Sequence, residues 1–312
     1  MSANAQPRLA WIGLGNMGRG MCKNLVEKGK LDSPLILYNR TRQRAEDLSA
    51  KLPRGSTVVA KDIAQVIANA DIIFTCLGDD HAILDLFGYL VQNTDLANKM
   101  FVDCSTVHPE TTNKVSEMLR EECNVPFVAS PVFGAPAMAE SGQLVFVLAG
   151  PGKYIEMIKP YTTGVMGRAV IDYSNQEPGF ATLLKVIGNT FILNMVETLS
   201  EGHVLAEKSG LGVENLQQFI ETMFPGPYTA YSKRMSSGDY YKREEPLFGV
   251  DLARKDAKHA MDIAKAAGAR LKAVEVADQH LSEVKRAKGS KGDIAGIYGA
   301  VRQESGLRFE NQ

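Results

Sequence analysis

Residues 177–211 read EPGFATLLKVIGNTFILNMVETLSEGHVLAEKSGL, and this stretch decides how the chain is divided. Pro178-Gly179 stands at its head, and Gly210 and Gly212 at its foot. Between them the glycines are Gly188 and Gly202, and there is no proline. Leu184, Ile187, Phe191, Val196, Leu199 and Leu205 recur at helical spacing, which predicts one helix over about 178–209. At 1.5 Å per residue such a helix spans roughly 45–50 Å, more than the width of a small domain. Strand–helix alternation precedes the stretch and a helical pattern follows it. It therefore reads as a spine joining two domains, residues 1–175 and 176–312. One residue is out of place in it: Lys185, flanked by Leu183, Leu184, Val186 and Ile187.

Towards the N-terminus the pattern becomes specific. Leu9–Ile12 is a short apolar run, as expected of a buried parallel strand. It leads into Gly13-Leu14-Gly15-Asn16-Met17-Gly18 and then a helical stretch to about Lys28. Gly13 permits the tight turn, Gly15 lets a pyrophosphate approach the backbone, and Gly18 lets the helix pack on the strand. The helix N-terminus offers N–H groups to the anion. Three glycines alone are a weak signal, but a second strand, Leu35–Tyr38, follows as a βαβ unit requires. NAD-binding folds usually carry Asp or Glu at the end of that strand, to hold the ribose 2′-hydroxyl. This chain has Asn39-Arg40-Thr41, which suits a 2′-phosphate, so the expected cofactor is NADP(H). A solvated loop arginine is the plain alternative for Arg40.

Alternation continues through a helix at 63–69, a strand at 70–77, a helix near 81–92, a strand at 100–103 and a helix at 109–122. Strands at 126–129, 144–149 and 169–172 follow. In an open parallel sheet, ligands gather at the carboxyl ends of strands. Those ends are the Gly13 loop, Asn39–Thr41, Leu77-Gly78, Ser105-Thr106 and Val132–Ala135, which are expected to face one crevice.

The bulk numbers fit this reading. A chain of 312 residues is long enough for two cores. Thirty-five basic and 36 acidic side chains leave a net charge of −1, which gives no electrostatic reason to expect nucleic acid or an anionic membrane as partner. Four scattered cysteines favour reduced thiols in a cytoplasmic setting. The first ten residues lack a secretory pattern, and Lys185, Asn189, Asn194 and Glu197 argue against a membrane-spanning segment at 182–199. The five histidines show no metal-ligand spacing, so no metal is expected. His108, ahead of Pro109 at a strand-end loop, reads as a surface residue, with a ligand contact as the alternative.

Several blocks together resemble the β-hydroxyacid dehydrogenases, the group of 3-hydroxyisobutyrate dehydrogenase and glyoxylate/succinic semialdehyde reductases, related to 6-phosphogluconate dehydrogenase. They are the glycine loop, Asp103–Pro109, Pro131–Ala135 with Gly142–Leu144, Lys185–Asn189, and Lys255-Asp256, in that order along nearly the whole chain. The resemblance implies an α/β Rossmann N-terminal domain plus an all-α C-terminal domain, joined by a long interdomain helix, in a homodimer or higher homo-oligomer. It implies hydride transfer between NAD(P) and a small β-hydroxy acid or its aldehyde. Carried over by position, Lys185 is the catalytic acid/base and Asn189 its neighbour. Ser105 and Gly134 lie where the substrate carboxylate is held, and Leu77, Gly78, Thr106 and Lys255 lie along the cofactor. The family's Ser-Gly-Gly is Phe133-Gly134-Ala135 here, so a ring replaces a hydroxyl in the substrate pocket. That points to a bulkier or more apolar substrate, or a carbonyl without an acid.

The chemistry suits the helix. Reducing a carbonyl needs a proton donor at the nascent alkoxide, and the reverse needs a base. A lysine in an apolar setting can do both. Asn189 is one turn on, so the two side chains point the same way. The bland alternative is a lysine snorkelling from a half-buried helix. The rivals to a dehydrogenase are an imine reductase and a non-catalytic dinucleotide-binding protein.

After the spine, residues 212–224 read as a helix halted by Pro225-Gly226-Pro227. An aromatic stretch then runs to Tyr241. Helices are expected at 246–267, 272–287 and 293–304, with Lys285–Lys291 as a solvated basic loop.

Overall fold

A computed structural model describes residues 6–311. The elements run β1 (Leu9–Ile12), α1 (Asn16–Lys28), β2 (Leu35–Tyr38), α2 (Arg42–Lys51), β3 (Thr57–Val59), α3 (Ile63–Asn69), β4 (Ile72–Thr75), α4 (Asp80–Asn93), β5 (Met100–Asp103), α5 (Pro109–Cys123), β6 (Phe127–Ala129), β7 (Val132–Phe133), α6 (Pro136–Ser141), β8 (Leu144–Gly150), α7 (Gly152–Thr162) and β9 (Gly167–Ser174). Among the described residues no strand follows, only helices: α8 (Gly179–Lys208), α9 (Val213–Met223), α10 (Pro227–Ser236), α11 (Asp239–Lys242), α12 (Val250–Ala266), α13 (Lys272–Lys288) and α14 (Ile297–Glu304). The chain divides into two compact units, Met1–Lys185 and Val186–Gln312, and the division falls within α8.

The first unit is built on one sheet in the order β3-β2-β1-β4-β5-β6-β8-β7, with β9 paired to β8. The strands from β3 to β6 are parallel, β8 runs antiparallel to β6 and β7, and β9 is parallel to β8. The central strands read LAWI, IIFT and MFVD because both faces are covered. Side chains alternate between the faces. Leu9 and Trp11 join Leu37, Phe74 and Val102 in one core. Ala10 and Ile12 join Ile36, Ile73 and Phe101 in the other. Fully burying one such Leu, Ile or Phe is worth about 1.5–3 kcal/mol, so the two cores are what hold the sheet between its helices.

Among its described residues the second unit's regular elements are helices. Leu193, Val196 and Leu199 of α8 pack with Val250, Ala257, Leu281, Val284 and Tyr298 in a third core.

α8 is one helix of 30 residues, as the opening stretch predicts. Its start is capped from the first unit's own α5, where the Gly179 N–H donates to Asn113 Oδ1 at 2.7 Å. Its end turns at Gly210, φ 80°, and the Gly212 N–H returns to the Ala206 carbonyl at 3.0 Å. One expectation about this helix is corrected, that of its apolar stripe. By length and composition it is apolar enough to cross a membrane, its polar residues notwithstanding. It nonetheless acts as a core element, giving Ala181 and Leu184 to the first unit's packing and Leu193, Val196 and Leu199 to the second's. The apolar stripe read from the sequence is only half right. Val196 and Leu199 are buried, but Ile187, Phe191 and Leu205 are 46%, 72% and 68% exposed in the single chain.

Other differences are local. α2, β3, β7, α6 and α7 have no counterpart in the sequence reading; β7 is two residues long and α6 six, too short for periodicity to register. The aromatic stretch after Pro225 is helical in α10 and α11. The basic run begins inside α13, which continues to Lys288, where cations favour a helix C-terminus.

Candidate active site

Because β1, β2, β4 and β5 are parallel and adjacent, their carboxyl ends lie along one edge of the sheet. Gly13 follows β1 with φ 99°, and a Cβ there would lie 2.3 Å from the Cys76 carbonyl oxygen. Only glycine makes this turn. Trp11 Nε1 donates to the Gly13 carbonyl at 2.9 Å, and a Cβ on Gly18 would come within 2.3 Å of that same oxygen. Gly15 is different: a Cβ there meets nothing within 4 Å. Gly15 is also the N-cap of α1 and supplies no side chain to the helix's first amides. Open space in front of an uncapped helix N-terminus fits a dinucleotide pyrophosphate. Asn16 Oδ1 accepts from Arg19 at 2.6 Å, and Met17 packs on the first core.

Asn39 joins two of the expected loops. Its Oδ1 accepts from the Leu14 N–H at 2.9 Å, and its Nδ2 donates to the Thr41 carbonyl at 3.0 Å. The carboxamide thus fixes the glycine loop against the end of β2. Arg40 and Thr41 are exposed, and Thr41 is the N-cap residue of α2 without a side-chain cap bond.

At the ends of β4 and β5 the structure shows a network the sequence did not announce. Asp103 Oδ1 accepts from Thr75 Oγ1 at 2.7 Å, Ser105 Oγ at 2.7 Å and the Ser105 N–H at 3.2 Å. Ser105 Oγ accepts in turn from the Leu77 N–H at 2.8 Å. Ser105 is 1% exposed and its hydroxyl proton is committed to Asp103. Holding a substrate carboxylate, the role the resemblance implies, does not fit this geometry. Ser105 instead ties the loop of Leu77 and Gly78 to the end of β5. Asp103 opened one of the family-like blocks, but the only sequence signal for Thr75 was its place at a strand end. Thr106 is half-buried beside Ser105, and His108, expected on the surface, serves as the N-cap of α5.

Phe133 ends β7, paired with Val145 of β8. Gly134 has φ 140°, and a Cβ there would press on Leu144 Cδ2 at 2.6 Å. The Lys185 Nζ lies 4.6 Å from the Phe133 ring centroid, and Lys185 is 8% exposed. The snorkelling alternative therefore fails: the ammonium ends on a ring.

In the second unit Asn189, 5% exposed, donates through Nδ2 to Asp256 Oδ2 at 2.6 Å. Lys255 Nζ is 3.4 Å from Asp256 Oδ1, an ion pair outside hydrogen-bond geometry. The side chains of Lys255 and Asp256 are 16% and 3% exposed, so this is no solvated surface pair. The sequence-predicted residues thus group as the strand-end loops, the Phe133–Lys185 pair, and the Asn189–Asp256–Lys255 cluster.

A glycine turn at the end of β1, an open Gly15 and an uncapped α1 define a dinucleotide-binding domain of the Rossmann kind. Residues 8–175 match the NAD binding domain of 6-phosphogluconate dehydrogenase, and residues 179–301 match the NAD-binding domain of NADP-dependent 3-hydroxyisobutyrate dehydrogenase. The chain belongs to the β-hydroxyacid dehydrogenase family. It is 37% identical over 294 residues to the NADH-dependent oxidoreductase ucdB of Aspergillus ustus, covering 94% of this chain and 98% of that one. It is 29% identical over 259 residues to glyoxylate/succinic semialdehyde reductase 1 of Arabidopsis thaliana, covering 81% and 84%. Its fold is similar to that of the Mycobacterium tuberculosis 3-hydroxyisobutyrate dehydrogenase with L-serine, with a TM-score of 0.77 at 22% identity over 95% and 99% of the chains.

Proposed function

We propose that this oxidoreductase uses NADP(H) to interconvert a small aldehyde or keto compound and its alcohol, the β-hydroxy acids being the family's substrates, with Lys185 as general acid/base. The observation that carries the reading is the burial of Lys185 at 8% exposure on an apolar stretch of α8. A lysine there meets the requirement for moving a proton at a carbonyl oxygen rather than staying a hydrated surface cation. The bound dinucleotide would supply or accept the hydride. Gly13, Gly15 and Gly18 would hold its pyrophosphate with the α1 amides, while Asn39 keeps the glycine loop in register. Leu77, Gly78 and Thr106 would border it at the ends of β4 and β5. Lys185 would give its proton to the carbonyl oxygen in reduction and remove it in oxidation. The assignments of Asn189 to catalysis and Lys255 to the cofactor rest on the family resemblance. Residues 1–175 would form the cofactor domain and 176–312 the helical one.

The NADP(H) choice rests on Arg40 and Thr41 where a carboxylate would repel a 2′-phosphate. NADH is the second reading, favoured by the name of the 37%-identical Aspergillus relative. Initial rates with NADPH and NADH decide: NADPH should be preferred at least tenfold, Arg40→Asp should reverse the order, and equal rates would sink the choice. Lys185→Ala should lower kcat by about 10²–10⁴-fold while the dinucleotide still binds. Retained turnover in that variant would exclude the acid/base assignment. The exposed Phe191, Leu205, Phe219 and Met223 of the helical unit support a homodimer or higher assembly, which sedimentation would show. The four free cysteines are consistent with a cytoplasmic enzyme.

A further inference from the structure

Phe133 has no part in the proton and hydride chemistry above, yet its ring is where the Lys185 ammonium comes to rest, 4.6 Å from the centroid. That separation is inside the range, about 6 Å, over which a ring face attracts a cation. With Lys185 8% exposed, the ring takes the place of water on that side of the ammonium. The backbone fixes the ring in turn. Val132 before it is buried in the sheet core, Phe133 itself is in register with Val145, and the next residue is a glycine at φ 140°. A side chain at Gly134 would strike Leu144, so the turn that aims the ring depends on glycine.

Neither Ser105 nor β7 supplies a hydroxyl to offset the ring. Ser105 is buried and its hydroxyl proton goes to Asp103. β7 consists of Val132 and Phe133, which carry no side-chain donor. A substrate carboxylate beside this ring would lose water without gaining a hydroxyl partner from Ser105 or β7. It would also compete with the carbonyl oxygen for the Lys185 ammonium. An alkyl or aryl group would instead bury apolar surface against the ring and leave the ammonium to the carbonyl.

We propose that Phe133 is a positioning residue for Lys185 and, through the same ring, a specificity determinant. It selects aldehydes and ketones whose carbonyl carries an alkyl or aryl group over those that carry a carboxylate. This rests on the reading of Lys185 as proton donor, and the experiment separates the two.

The full-length protein and its Phe133→Leu, Phe133→Tyr, Phe133→Ser and Lys185→Ala variants are assayed with reduced dinucleotide. The substrates are butanal and benzaldehyde against glyoxylate and succinic semialdehyde. Wild type should favour the neutral pair at least tenfold in kcat/KM. Phe133→Leu keeps apolar volume but loses the ring face, and should lower kcat on butanal about three- to tenfold with KM within twofold. Phe133→Tyr keeps the ring and should restore kcat to within twofold of wild type. Phe133→Ser should narrow the preference for neutral substrates tenfold or more. Independently of turnover, reductive methylation of Lys185 with formaldehyde and borohydride, followed by peptide mass, should run at least threefold faster in Phe133→Leu than in wild type or Phe133→Tyr. A tenfold wild-type preference for the carboxylates would overturn the proposal, as would Leu and Tyr variants alike in kcat and methylation rate. Retained turnover in Lys185→Ala overturns the proton assignment instead; the methylation comparison then decides whether Phe133 holds the lysine.

Discussion

Lys185 and Ser105 differ in how much of their setting is written locally. Lys185 stands out because a charged side chain interrupts an apolar helical run, and that anomaly is visible within five residues of sequence. What it touches is not visible there, since Phe133 lies 52 positions away on β7. Ser105 shows the opposite failure. Its motif suggested a ligand contact, but its partners are set by the pairing of β4 with β5, which brings Thr75 opposite Asp103. Replacing Ser105 by Ala removes the donor to Asp103 and leaves the Leu77 N–H without its acceptor. Stranding buried hydrogen-bonding groups costs about 1–3 kcal/mol. Chemical denaturation of Ser105→Ala should show a loss of that size, and dinucleotide affinity should fall with it. If affinity and stability both stay at wild-type values, the network does not hold the cofactor loop.

At the scale of elements, the glycine loop after β1 separates conformational need from ligand need. Gly13→Ala forces a Cβ to 2.3 Å from a backbone oxygen at φ 99°, and neither β1 nor β4 can retreat from it. Its melting temperature should fall sharply, together with dinucleotide binding. Gly15→Ala meets no protein atom within 4 Å, and its φ of −72° suits any residue. That variant should melt within a few degrees of wild type yet bind the dinucleotide at least tenfold more weakly, as read by calorimetric titration. Equal losses of stability in both variants would refute the distinction. The βα alternation around this loop was legible because buried parallel strands are continuous apolar runs. β7 was not, because two residues carry no period and its place depends on β8 further along the chain. The exposed stripe on α8 was misread for a related reason: periodicity reports that residues share a face, not what covers that face.

Over the whole molecule, two histidines of the helical unit set opposite limits on stability with pH. His280 Nδ1 pairs with Glu197 at 2.8 Å and its Nε2 with Glu304 at 3.1 Å. The hydrogen bond to Glu197, against the opposing effect of burial and with help from Glu304, pushes its pKa up to about 9. A raised folded pKa contributes stability that is complete below the unfolded value near 6.5 and is lost as pH rises through 9. His203 is fully buried, accepts or donates at Nε2 to Ser232 at 2.8 Å, and is pushed down to about 4 by burial. The unfolded chain takes up that proton first, so stability is present above about 6.5 and falls as pH drops towards 4. Urea midpoints should therefore peak near pH 6–7. The gap between wild type and His280→Gln should close as pH rises to 9, and a gap constant with pH would rule out the charged triad.

The chain's single tryptophan is Trp11, fully buried, stacked on Phe74 at 5.4 Å and bonded through Nε1 to the Gly13 carbonyl. Its fluorescence is thus a built-in reporter on one loop. Emission should be blue-shifted and insensitive to collisional quenchers in the native state. Reduced nicotinamide dinucleotide, which absorbs where tryptophan emits, should quench it by energy transfer, while the oxidised form should not. Cofactor occupancy and redox state can then be followed in the unlabelled wild-type protein, with no second indole to subtract.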